Sequence, residues 1–145
     1  MRKNESKDPL VLMEQVIMVL VFALAAALCI QAFALARTNS LRITERDHAM
    51  NISQTLAETV KAYAGDQKEV CKELGGRIEG KQLVFYYDSD WKEIGEPEAA
   101  AYRAVFAEEK SESFCRYGKI SVSDTEHDRE VFSIRVAWQG EDANE

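Results

Sequence analysis

The stretch LVLMEQVIMVLVFALAAALCIQAFALA, residues Leu10–Ala36, decides how the rest of the chain is read. From Val16 to Ala36 it holds 21 residues with one polar member, Gln31. As a helix, that length crosses a hydrocarbon core of about 30 Å. A helix packed on the surface of a small soluble domain would keep one polar stripe, and Val16–Ile30 is apolar on every face. Basic residues lie on both sides, Arg2, Lys3 and Lys7 before the span and Arg37, Arg42 and Arg46 after it. A short basic tail stays in the cytoplasm, and a long C-terminal domain crosses largely regardless of its charge. The expected placement is a single pass, with the N-terminus cytoplasmic and the C-terminal domain extracytoplasmic.

Three readings of this span are open. Ala34-Leu35-Ala36 fits an A-x-A cleavage site, so the stretch could be a signal peptide whose removal leaves a chain starting at Arg37. Glu14 just before the apolar run, and the run's length, argue instead for retention. Lipid attachment at Cys29 is disfavoured by Leu28, where a small residue is needed. The second reading is a plain signal anchor. The third rests on Glu14.

The segment Leu10-Val11-Leu12-Met13-Glu14-Gln15-Val16-Ile17 resembles the N-terminus of type IV pilins and pseudopilins. In that family a short basic leader precedes a cleavage point, an apolar residue opens the mature chain, and a glutamate stands fifth. Counted from Leu10, the fifth residue is Glu14, which makes Pro9–Leu10 the candidate processing junction. The resemblance implies a register role for Glu14, pairing with the free N-terminal amine of a neighbouring subunit. An ionisable group at the edge of an apolar helix is costly and seeks a partner; resting among lipid headgroups is the alternative. One position departs from the pattern. The family's peptidase cuts after glycine, and Pro9 stands there, with a constrained backbone and no N–H. An uncut leader leaves no amine at Leu10 for Glu14.

Beyond Arg37 no Gly or Pro occurs before Gly65, while Ile43, Ala49, Ile52, Leu56, Val60 and Tyr63 recur mostly at three- and four-residue steps. The span is therefore expected to continue as one helix to about Ala64, roughly 80 Å at 1.5 Å per residue. Gly65 suits its C-terminal cap. Asp66-Gln67-Lys68-Glu69 carries a capping-box pattern for a second helix ending at Leu74, before Gly75-Gly76. From Lys81 the period changes to two. Leu83, Phe85 and Tyr87 alternate with Val84 and Tyr86, and Asp88-Ser89-Asp90 makes a turn. Ile120 and Val122, then Phe132, Ile134, Val136 and Trp138, mark two further strands joined by the polar loop Asp124–Asp128. This alternation suits an antiparallel sheet with one solvated face. Glu98–Lys110 is ambiguous. Pro97 and a run of alanines favour a helix locally, whereas a four-stranded meander, which the pilin resemblance implies, makes the segment a strand.

The expected fold is α+β: a long N-terminal helix, transmembrane below and amphipathic above, packed on a small antiparallel sheet of about four strands. Its parts are a basic leader (1–9), a transmembrane helix (10–36), an amphipathic stem (37–64) and a sheet domain (65–145).

The chain of 145 residues carries a net charge of −7, and from Asp66 onward 19 acidic and 11 basic residues give −8. Phosphate contacts need a basic face, so nucleic acid is not an expected partner. Cys71 and Cys115 fall in the exported part, where a disulfide between them is permitted; two separate half-buried thiols are the equal alternative. His48 and His127 have no sequence neighbour that makes a nucleophile pair, and no phosphate-binding glycine loop or metal spacing is present. The residues point to a protein without enzymatic activity, cofactor or metal. The resemblance implies a structural subunit, a minor one, of a type IV pilus or type II secretion-like assembly, with membrane lipid and other pilin-like subunits as partners. The alternative is a single-pass cell-envelope or division-complex interaction protein that forms no filament.

Overall fold

The computed structural model describes residues 8–109 and 114–140. Internal contacts divide the chain into two units, Met1–Ile43 and Thr44–Glu145. Helix α1 (Asp8–Ala62) contributes to both. Residues 49–60 of α1 share a core with the sheet. The lack of Gly and Pro between Leu10 and Ala64 lets the helix run on, and its hydroxyl residues are absorbed within it. Thr38, Ser53, Thr55 and Thr59 each donate to the carbonyl four residues back, at 2.8–3.0 Å. Pro9 lies in the first turn, where its missing N–H is no loss.

The helix stops because Ala64 and Gly65 turn left-handed, with φ of +50° and +81°. The Gly65 N–H then closes on the Val60 carbonyl at 2.8 Å. Gly65 is needed twice over, since a Cβ there would meet the Trp138 ring at 2.6 Å. Helix α2 (Gln67–Leu74) follows at once. Its cap Asp66 accepts the Lys68 N–H at 2.9 Å, as the sequence pattern implies. The reciprocal half of the capping box is not made, because the Asp66 N–H already donates to Tyr63 and Glu69 is taken by Lys72.

The sheet has six strands, not four: β1 (Arg77–Glu79), β2 (Gln82–Tyr87), β3 (Glu93–Ile94), β4 (Tyr102–Glu108), β5 (Cys115–Asp124) and β6 (Arg129–Gln139). All pairings are antiparallel, in the order β1-β2-β4-β5-β6. β3 pairs with Tyr86–Tyr87 while β1 pairs with Gln82–Val84, so the two short strands share one edge of β2. The four long strands are those the alternation and the meander required. The extra two, of three and two residues, are too short for a period of two to register. The ambiguous segment resolves into both of its signals. Pro97–Ala99 forms one 3₁₀ turn, and Tyr102–Glu108 becomes a central strand, hydrogen-bonded on both sides.

One core fills the second unit. Ala49, Leu56 and Val60 of α1 and Val70 of α2 pack with Leu83, Phe85, Ala104, Phe106, Ile120, Val122, Val136 and Trp138. The α1 stripe is narrower than the spacing suggests. Ser53 and Ala57 belong to it, Ile52 is half-buried, and Ile43 is 61% exposed in the first unit. Ser53 is tolerated because its hydroxyl is satisfied by Ala49. The other face of the sheet is not fully solvated either. Val84, Tyr86 and Val105 are buried there under Ile94 and Ala100. β2 is therefore covered on both faces, which explains its unbroken apolar run Leu83–Tyr87.

Candidate functional site

In the first unit, every described residue from 8 to 43 is exposed, up to 77% for Phe22 and 74% for Phe33. Its most apolar 18-residue window has a mean hydropathy of 2.7 and no burial at all. Monomeric soluble proteins do not leave so large an apolar surface in water. The helix is a candidate membrane span. Between Pro9 and Ala36 the one charged side chain is Glu14, which is exposed one turn above Leu10. The junction Pro9–Leu10 lies within the first turn of α1. The basic residues Arg2, Lys3 and Lys7 lie outside the described residues.

The second unit holds the other candidates apart. Cys71, on α2, is half-buried, and its thiol approaches the Gly76 carbonyl at 3.4 Å. Cys115 is exposed at the start of β5, paired in register with Gln139. Both are free, so the disulfide admitted from the sequence is not formed. The physical reason is placement: α2 lies against β1 at one edge of the sheet, and β5 is three strands away in the order.

Both histidines have partners in the fold, His48 against Trp91 and His127 against Asp124. Both carboxylate oxygens of Glu45, on α1, accept from Arg129 Nη2, at 3.1 and 2.8 Å. The same guanidinium stands 3.8 Å from Asp124 Oδ2, which contacts His127 Nδ1 at 2.9 Å. Asp124 Oδ1 also accepts the backbone N–H groups of Glu126 and His127, which builds the turn between β5 and β6. Burial opposes the Asp124 charge, but the His127 ring and these N–H groups overcome it and hold the pKa below the ordinary carboxylate value. The hydrogen bond to Asp124, with its charge, raises the His127 pKa. Burial, then the Glu45 charge, pushes the Tyr102 phenol up to about 12. Beside this network Trp91 is stacked between His48 of α1 and Tyr102, with ring centroids 5.4 and 3.8 Å away. Trp91 holds a positive φ of 62°, set by the Asp88 turn that precedes it.

No family model matches the chain, and neither does any curated protein or solved structure. Its own residues carry the functional reading. The cluster around Arg129 fastens α1 to the β5–β6 hairpin. Its histidine is largely solvent-exposed on a turn, and its carboxylates are spent on structural partners. Among the described residues, no group of three His, Cys, Asp or Glu side chains stands together as a metal site would require. The Asp88-Ser89-Asp90 oxygens serve their own turn: Asp88 Oδ1 accepts the N–H groups of Asp90 and Lys92, both at 2.9 Å. No sequence pattern announces the Arg129 network, because Glu45 and Arg129 are 84 positions apart.

Proposed function

We propose that this chain is a pilin-like or pseudopilin-like structural subunit, without enzymatic activity, of a type IV filament or type II secretion-like assembly. The observation that carries the proposal is the exposed apolar half of α1, with Glu14 as its lone charge, on the same helix whose other half is bound into an antiparallel sheet. A helix with no polar face offers its whole circumference to lipid and to equivalent helices. Ala23, Ala25, Ala26 and Ala27, with Cys29 and Gln31, allow close approach. Glu14, the one charged side chain of the apolar run, selects one axial register when a neighbour supplies a cation. The sheet unit is then held on the extracytoplasmic side.

A second reading is favoured by Pro9. If the leader is never removed, no amine is freed at Leu10, and the same helix tethers an envelope interaction domain without building a filament. Mass spectrometry of the N-terminus, on protein isolated from its own membranes, separates the two. A chain beginning at Leu10, with a modified amine, is the expected result for filament entry. An intact Met1 selects the tether, and a chain beginning at Arg37 overturns both.

A further inference from the structure

A groove opens in the second unit between α1, α2 and the β2–β3 edge, with a volume of about 250 Å³. Leu56 and Phe85 form its buried floor, and Ile52 and Leu74 line its sides. Tyr87 and Glu93 stand on the sheet side of the mouth, with Asn51 and Thr55 on the helix side. The groove lies wholly within residues 44–145, so it does not depend on the membrane reading.

The chain shapes this wall with care for close approach. Gly75 and Gly76 both hold positive φ, +82° and +87°. A Cβ on Gly75 would meet the Glu93 carboxylate at 2.7 Å, and one on Gly76 would meet the Phe85 ring at 2.7 Å. With both β-carbons absent, the Gly76 N–H donates to Glu93 Oε1 at 3.0 Å and holds the carboxylate at the mouth. Glu93 is the one charged group lining the groove, and it has no ion pair among the described residues. Thr55 spends its hydroxyl on the Asn51 carbonyl. Burial, then the Glu93 charge, pushes the Tyr87 phenol up to about 12, so the ring stays neutral at physiological pH.

An apolar floor, an aromatic wall and one unmatched carboxylate define a complementary group: a long apolar stem with a cationic head. The volume bounds its size. Sites for free small molecules run to about 300–1,000 Å³, so this groove suits one side chain rather than a cofactor. Lysine and arginine have this build, an aliphatic stem that lies along apolar surface and a charged end that reaches past it. We infer that the groove receives a lysine or arginine side chain presented by a partner polypeptide, with Leu56 and Phe85 under the stem and Glu93 and Tyr87 at the head. The contact would give the acidic sheet unit a defined point of attachment for a basic segment.

The test uses the full chain in lipid nanodiscs, with saturation-transfer NMR read on three blocked pentapeptides. Each has two glycines on either side of a central lysine, norleucine or glutamate, and empty nanodiscs are the blank. The lysine peptide should bind saturably, at millimolar concentration, about fivefold better than the norleucine peptide, as a rim-exposed charge pair allows. The glutamate peptide should bind least. Glu93→Gln, which keeps an oxygen for the Gly76 N–H, should equalise lysine and norleucine. Thr55→Phe, at an exposed helix position, should fill the groove and abolish binding of both. Equal binding of lysine and norleucine to the unaltered chain overturns the inference. So does absence of saturable lysine binding, or binding that Thr55→Phe leaves intact.

Discussion

The two halves of α1 obey the same backbone rules and meet opposite surroundings. From Leu10 to Ala36 the side chains are apolar all round and exposed; from Thr44 to Ala62 they are apolar along one stripe, and that stripe is buried. Burial therefore does not track hydrophobicity along this helix. It tracks whether a partner surface is supplied by the chain itself. The second half has a sheet to cover it, and the first half is exposed along its whole length and is a candidate membrane span.

The same leucine-to-alanine substitution should have very different consequences in the two halves. Leu56→Ala should destabilise the second unit by about 2–5 kcal/mol, because it empties space under a side chain that is 2% exposed. Leu24→Ala should leave that unit's unfolding within about 0.5 kcal/mol of the parent. Urea unfolding of the full chain in micelles, followed by tryptophan fluorescence, reads this directly, since both tryptophans, Trp91 and Trp138, lie in the second unit. A charge reverses the order of sensitivity. Leu24→Arg should oppose membrane insertion by about 2.5–3.5 kcal/mol, seen as protein lost from the membrane fraction, without shifting unfolding of the sheet unit.

Smaller effects test how the helix is fastened. Arg129→Ala removes the contact to Glu45, and an exposed pair of this kind should cost about 0.2–1 kcal/mol in the same unfolding experiment. Smaller again is the pH dependence of the Asp124–His127 contact. The folded His127 pKa is raised above its ordinary 6.5, so its stabilisation is complete below about that pH and is lost as pH rises through the folded value. Asp124 works oppositely. Its folded pKa lies below 3.8, so its contribution is present above that value and lost as pH falls through the lower folded one. His127→Ala should flatten the slope of melting temperature against pH just above 6.5 and also shrink the acid limb, because the ring is one of the groups that hold the Asp124 pKa down. A slope unchanged by His127→Ala would show that another group sets it.

Much of this architecture was legible because its signals are long or chemically specific. An uninterrupted run without Gly or Pro predicts α1, Asp66 and Gly75 bracket α2, and period-two alternation locates β2, β5 and β6. β1 and β3 escaped because each is shorter than the pattern needed to see it. β4 shows why local propensity misleads. Its alanines and Pro97 favour a helix, but pairing along both edges repays the backbone as a strand, and the helical preference survives only in the turn at Pro97–Ala99. Glu14 stands out in sequence as a charge in an apolar run. The Arg129 network does not, since proximity across 84 positions is a product of folding. The groove at Glu93 was equally invisible. Gly75 and Gly76 read as a helix stop, and their second use, admitting Glu93 and Phe85, depends on a strand too short to be read.

We propose that the exposed half of α1 packs against equivalent helices in the membrane, with Glu14 setting their register. Photo-crosslinking from a benzophenone residue at Phe22, in membranes that hold the native assembly, tests it most directly. The expected result is adducts with other subunit helices that disappear in a Glu14→Ala background while the chain stays in the membrane fraction. Phe22 adducts confined to lipid, or protein adducts unchanged by Glu14→Ala, would contradict it.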